Sequence, residues 1–117
     1  KAAAGMALTS RDMLKLGLMT TRGGVWDGKQ ILNRDWVEKA TAVHANHDKP
    51  HQYGYFWWSH RITVKGKELR VRSVRGAGGQ FVFMLPELDL VAVFTSYYGT
   101  NKPIEYFNEI IVPAFAK

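Results

Sequence analysis

The stretch that most restricts what this chain can fold into runs from Arg75 to Ser96, R-G-A-G-G-Q-F-V-F-M-L-P-E-L-D-L-V-A-V-F-T-S. Two runs that are apolar at nearly every position, Phe81 to Leu85 and Leu90 to Phe94, flank Pro86-Glu87-Leu88-Asp89. Such runs joined by a turn of that composition read as two antiparallel strands. Neither run alternates with polar residues, so both faces need cover and the strands belong in the middle of a sheet. Ahead of them stand Gly76, Gly78 and Gly79, where no side chain shields the backbone and positive φ has no steric cost. The spacing departs from G-x-G-x-x-G and leads into a strand, and no G-K-[ST] follows, so this is neither a dinucleotide loop nor a phosphate loop. Two readings of the corner remain. It is a flexible connection between strands, or an exposed strand edge whose bare amides polarise a carbonyl or hold an extended substrate.

The rest of the chain supplies helices to cover that sheet. Thr9 is a good N-cap with Asp12 three residues on, and Met13, Leu14, Leu16 and Leu18 make an apolar stripe, which predicts a helix from Ser10 to Thr21 ended by Arg22-Gly23-Gly24 after a basic last turn. Trp26-Asp27-Gly28-Lys29 reads as a turn between short extended arms. Asn33 caps a second helix reaching Ala42, with Trp36, Val37 and Ala40 toward the core and Leu32 positioned to staple onto Val37. The aromatic run Tyr53 to Ser59 reads as one strand, mostly core, although such a strand can also be a stacking platform or a substrate wall. Val64-Lys65-Gly66-Lys67 turns into a further strand, Glu68 to Val74. Residues 97 to 103 break the sheet, and Pro103 opens a final helix to Val112 with Ile104, Phe107, Ile110 and Ile111 on its apolar face. The fold class is α+β: an antiparallel sheet of about four strands with two N-terminal helices and a C-terminal helix packed on it.

Composition bounds the function. A chain of 117 residues has room for one domain, 1–117, that buries about two-thirds of its extended surface. No apolar run approaches the roughly 20 residues of a membrane span, and no signal peptide is visible. With no cysteine, disulfides, thiolate metal sites and a cysteine nucleophile are excluded. The net charge of +6 and the cluster Lys65, Lys67, Arg70, Arg72 and Arg75 raise nucleic acid as a partner. Arg70 and Arg72 alternate with Leu69 and Val71, however, the pattern of a strand with one wet face, so a solvated strand face is preferred and no nucleic-acid partner is expected. His44, His47, Asp48 and His51 invite a zinc site. A proline, Lys49 and the lack of a helix to orient ligands make a surface loop the better reading, with no metal or other cofactor. The missing initiator Met suggests a piece of something longer.

The order of these signals resembles the C-terminal part of the serine β-lactamase and penicillin-binding protein superfamily, especially the class C β-lactamase-like hydrolases. The segments that carry it are A-A-A-G-M-A-L-T-S-R-D-M-L-K-L-G at 2–17, G-G-V-W-D-G-K-Q-I-L-N-R-D-W-V at 23–37, Y-G-Y-F-W-W at 53–58, G-A-G-G-Q-F-V-F-M-L-P-E-L-D-L-V-A-V-F-T-S at 76–96, and the closing helix. Together they span nearly the whole chain. In that family a serine of S-x-x-K attacks an acyl carbon, while the lysine and a tyrosine of Y-x-N relay protons. The oxyanion is held by the serine's own amide and by one on the strand of a K-T-G-type motif. The resemblance places Gly76, Ala77, Gly78, Gly79 and Gln80 at that third motif, with the strand amide from Gly79 or Gln80. The motif's Lys or His is replaced by Gly76 or Ala77, which favours ester, amide or peptide acyl transfer over recognition of a β-lactam carboxylate.

The other two motifs are missing. Ser10, Ser59, Ser73 and Ser96 are followed at the fourth place by Met13, Ile62, Gly76 and Gly99. Tyr106-Phe107-Asn108 fits Y-x-N by spelling, in the wrong place along the chain. The resemblance therefore implies that no catalytic residue lies in this fragment and that the nucleophile sits upstream of Lys1. Its partners would be the N-terminal portion of the same parent domain and a small-molecule or peptide acyl substrate, in a protein that leans toward export. A homodimer through uncovered sheet surface is a further expectation. The alternatives are an inactive binding or regulatory module of the same fold, or a basic nucleic-acid-binding domain.

Overall fold

In the computed structural model, which describes residues 5–46, 51–96 and 100–116, helix α1 spans Ser10–Thr21 as its sequence signals require. Thr9 Oγ1 accepts from the Asp12 amide at 3.1 Å. The helix stops where Gly23 and Gly24 take φ of +68° and +90° and the Gly24 amide reaches back to the Met19 carbonyl at 2.8 Å, a glycine C-cap. Its last turn holds no basic residue, since Arg22 is the cap. Asp27 and Gly28 then both adopt positive φ, the type I′ signature, and join strand β1, Val25–Trp26, to β2, Lys29–Gln30. Asn33 caps helix α2, Arg34–Thr41, its Oδ1 accepting from the Trp36 amide at 3.2 Å. Helix α2 buries Val37, Ala40 and Thr41. Trp36, expected on the core face, is 53% exposed, its ring laid against Tyr55 at 5.9 Å instead.

Six strands follow as one antiparallel sheet in chain order: β3 Ala45–Asn46, β4 Gln52–Gly54, β5 Trp57–Val64, β6 Lys67–Gly76, β7 Gln80–Leu85 and β8 Leu90–Phe94. There are more strands than the sequence suggests, in part because the aromatic run is not one buried strand. Phe56 takes φ of +68° and the chain reverses there, dividing the run into β4 and β5. Tyr55 and Phe56 at that turn are 43% and 69% exposed. Lys65 and Gly66, both at positive φ, make the expected hairpin turn between β5 and β6.

Register assigns every side chain to a face, because successive residues alternate. Ser73 faces Phe83, Arg75 faces Phe81 and His60 faces Val71, while Phe81, Phe83 and Leu85 face Phe94, Ala92 and Leu90. All of these share one face, and the closing helix covers it. That helix runs as α3 Lys102–Tyr106, a π-helical turn Phe107–Ile111, and α4 Val112–Phe115. Phe107 and Val112 are fully buried, and the Phe107 ring stacks on Phe83 at 4.6 Å. Val112 N–H bonds to the Phe107 carbonyl five residues back, next to Pro113, which has no N–H to give. The wider turn leaves Ile110 62% exposed, outside the apolar face expected for it, while Ile104 and Ile111 do pack on the core.

The opposite face carries Val82, Met84, Val91 and Val93, and α1 lies on it. The approach is so close that a Cβ on Gly17 would stand 2.7 Å from Val91 Cγ1 and 3.0 Å from Val82 Cγ1. The molecule is thus α+β, with the sheet between α1 and the closing helix. No described helix is long and apolar enough to cross a membrane.

Candidate functional site

The glycine corner is a hairpin tip. Gly76 closes β6, Gln80 opens β7, and the two face each other. Ala77, Gly78 and Gly79 make the turn between them, with φ of +91° at Gly78 and +94° at Gly79, a conformation that suits only glycine. The turn is held through its carbonyls. Ser96 Oγ donates to the Gly79 carbonyl at 2.9 Å and lies 3.2 Å from that of Gly78, and Gln80 Nε2 donates to the Ser96 carbonyl at 2.8 Å. The amides of Ala77, Gly78 and Gly79 make no turn or loop hydrogen bond to another main-chain group among the described residues. The corner is therefore braced rather than flexible. Ser96 does the bracing, and nothing in the sequence marks it beyond a hydroxyl just after an apolar run.

The expected exposed strand edge takes a different form. Strands β6 and β7 are interior, whereas β8, expected in the middle of the sheet from its unbroken apolar run, is an outer strand, as is β3. The ladder between β5 and β6, however, ends at Trp58 opposite Ser73. Val74, Arg75 and Gly76 overhang it, paired to β7 on one side only. Peptide groups alternate between the two neighbours of an antiparallel strand, so at least one of these residues turns its N–H and C=O to the side that β5 leaves open. Gln80 likewise lies one residue past the ladder between β7 and β8, which ends at Phe81 opposite Phe94.

Beside this overhang is a cavity of about 620 Å³ between the sheet, α1 and the segment before it. Val74, Gly76, Gln80 and Val82 line it from the sheet, Met13 and Leu16 from the helix, and Met6 and Leu8 from the leading segment. The volume is that of a small-molecule site, and the walls are largely apolar, as such sites are. Two polar side chains at its rim are already engaged, Gln80 with Ser96 and Thr95 Oγ1 with Ser10 Oγ at 3.3 Å. Of the residues singled out in the sequence, Gly76 and Gln80 reach the cavity. Ala77 is exposed at the tip, Gly78 is half-buried and Gly79 is buried.

Ser59 and Ser73 are 3% and 0% exposed, Ser10 contacts Thr95 and Ser96 braces the corner. Tyr106 and Asn108 belong to the closing helix, where Asn108 Oδ1 meets His60 Nε2 at 3.0 Å. The basic run does not form one patch. Arg70 and Arg72 share the face of Val74 and Val82, whereas Arg75 points to the other. Arg72 and Arg75 are both half-buried rather than solvated. Burial holds the Arg72 guanidinium below its usual pKa, as does Arg70, while Glu87 and Glu38 act the other way. His44 stacks flat on Tyr55 at 4.3 Å, with its Nε2 at 2.6 Å from the Lys39 carbonyl. His47, Asp48, Lys49 and Pro50, like Tyr97 to Gly99, lie outside the described residues. Among the described residues no group of three potential ligands could hold a metal. No known family model matches this chain, and no curated protein matches it.

Proposed function

We propose that this chain is the C-terminal portion of a β-lactamase-family serine hydrolase, forming the oxyanion-side rim and one wall of a site whose nucleophile lies outside it. The observation that carries this reading is the overhang of Val74 to Gly76 past β5, ending in the glycine corner and opening onto an apolar cavity. A substrate laid along that rim could pair with its open peptide groups as an added strand, which places an acyl carbonyl near N–H donors. The chain would supply Gly76, Ala77, Gly78, Gly79 and Gln80 as that rim. The N-terminal portion of the parent would supply serine, lysine and tyrosine, and the reaction would be ester, amide or peptide acyl transfer through an acyl-enzyme. The cavity mouth is greasy: Met6 is 69%, Leu16 48% and Val74 40% exposed. That surface suits a seat for the rest of the parent domain, or for a second copy where the rest is missing.

The test uses a serine-directed phosphonate probe on two chains. The 117-residue chain is expected to remain unlabelled. A longer parent chain is expected to be labelled once, on a serine upstream of Lys1 in an S-x-x-K sequence. Labelling of the shorter chain overturns the reading, and a parent without S-x-x-K makes the region a binding module instead.

A further inference from the structure

We propose that the cavity beside the glycine corner is the seat of an unbranched alkyl chain with a neutral carbonyl head at the Gly76 rim. The protein has four methionines, Met6, Met13, Met19 and Met84, and all four line this cavity. They come from separate parts of the fold: the segment before α1, two positions on α1, and strand β7. Met6 is 69% exposed, Met13 and Met19 are half-buried and Met84 is 1% exposed, so thioethers reach from the mouth to the sheet wall. A methionine side chain is unbranched and polarisable with three rotatable bonds, and it can re-pack along a ligand that is itself flexible.

The wall offers little to a polar ligand. Thr20 Oγ1 donates to the Leu16 carbonyl at 2.9 Å, Thr95 Oγ1 meets Ser10 Oγ, and Gln80 Nε2 is held on Ser96. Arg75 is the one charged residue among the described residues of the lining, and the register turns its side chain to the opposite face. An ionic or hydroxyl-rich ligand would lose water there without gaining partners, whereas every methylene buried is favourable. Val74 and Gly76 of the overhang line the cavity as well, which gives a carbonyl head peptide groups to meet. That the alkyl group is the acyl half of a substrate rests on the hydrolase reading; the preference for an alkyl chain rests on the lining alone.

Butanamide, hexanamide and octanamide are the probes, with adamantane carboxamide as a rigid counterpart, and binding to the 117-residue chain is followed by NMR of isotope-labelled methionine and isoleucine methyl groups. With octanamide all four methionine signals are expected to shift along one saturation curve. The methyls of Ile104 and Ile111, packed on the core from the closing helix, should stay in place. Each step of two methylenes should tighten binding by about fifteenfold, and adamantane carboxamide should bind more weakly than octanamide. Leu16→Glu, at an exposed position of the mouth, should weaken octanamide by about tenfold. Failure of octanamide to saturate, affinity independent of chain length, tighter binding of the adamantane, unchanged affinity in Leu16→Glu, or shifts at Ile104 and Ile111 in place of the methionines overturns the proposal. So does movement of the methionine signals with protein concentration alone, which would put a second copy in the cavity. Should Leu16→Glu not fold, the length series on the unsubstituted chain decides. Phosphonate labelling reports on the nucleophile and amide binding on the cavity, so either reading can fail while the other stands.

Discussion

Replacing Gly17 by alanine sets two effects of known size against each other. Alanine in a helix interior is favoured over glycine by about 1 kcal/mol. The new Cβ, however, would stand 2.7 Å from Val91 Cγ1 and 3.0 Å from Val82 Cγ1, about 1 Å inside ordinary carbon contact. Val91 cannot swing clear cheaply, because a β-branched side chain is stiff at χ1 and its strand is fixed by pairing with Met84. Helix α1 must therefore lift from the sheet, and overpacking of this kind costs about 1–3 kcal/mol. The expected net result is a loss of up to about 2 kcal/mol, the larger overpacking cost outweighing the propensity gain. Urea unfolding of Gly17→Ala, Val91→Ala and the double variant measures the terms separately. With Cγ1 of Val91 gone, Gly17→Ala should become roughly neutral, a favourable coupling of about 1–2 kcal/mol. Stabilisation by Gly17→Ala in both backgrounds would show that α1 does not sit on Val91, and the cavity it walls would not exist as described.

Three further perturbations probe other parts of the structure. Phe56→Gly relieves a left-handed backbone at an exposed aromatic residue and should stabilise by about 1 kcal/mol in thermal unfolding, whereas Phe56→Ala should not. Phe107→Ala empties the fully buried ring site stacked on Phe83 and should cost about 3–5 kcal/mol, a large share of the roughly 5–15 kcal/mol that holds an ordinary domain folded. Burial lowers the pKa of His60, opposed by its hydrogen bond to Asn108 and assisted by Arg75 and His51, so the unfolded chain takes up the proton first. Stability should then be full above about pH 6.5 and decline below it, and His60→Gln should flatten that slope in unfolding measured across the range.

Local signals in the sequence were read correctly where a single residue type decides the geometry. Thr9, Asn33, Asp27-Gly28 and Lys65-Gly66 each fix a cap or a hairpin through its own side chain or its positive φ, and no distant contact competes. The aromatic run misled because Phe56 adopts a conformation that local sterics disfavour, which only the surrounding sheet can impose. Trp36 and Ile110 misled because periodicity marks which residues could be buried, not how far the partner surface extends. At the candidate site, the glycines at 76, 78 and 79 marked the hairpin turn between β6 and β7. The overhang could not be foreseen, since it depends on where β5 ends relative to β6, and pairing across separate strands leaves no trace in either one. The split of the basic run between two faces was visible in the parity of Arg70, Arg72 and Arg75, but its meaning depends on which helix covers which side.

Amide hydrogen exchange across residues 74 to 85, read residue by residue, tests most directly whether the rim has open peptide groups. Fast exchange at one or more of Val74, Arg75 and Gly76 and at the turn amides, beside strong protection from Val82 to Leu85, is the expected pattern. Protection of every amide from Val74 through Gly79 to the level of the central strands would mean that the rim is already paired, with no N–H left to hold a substrate's oxygen.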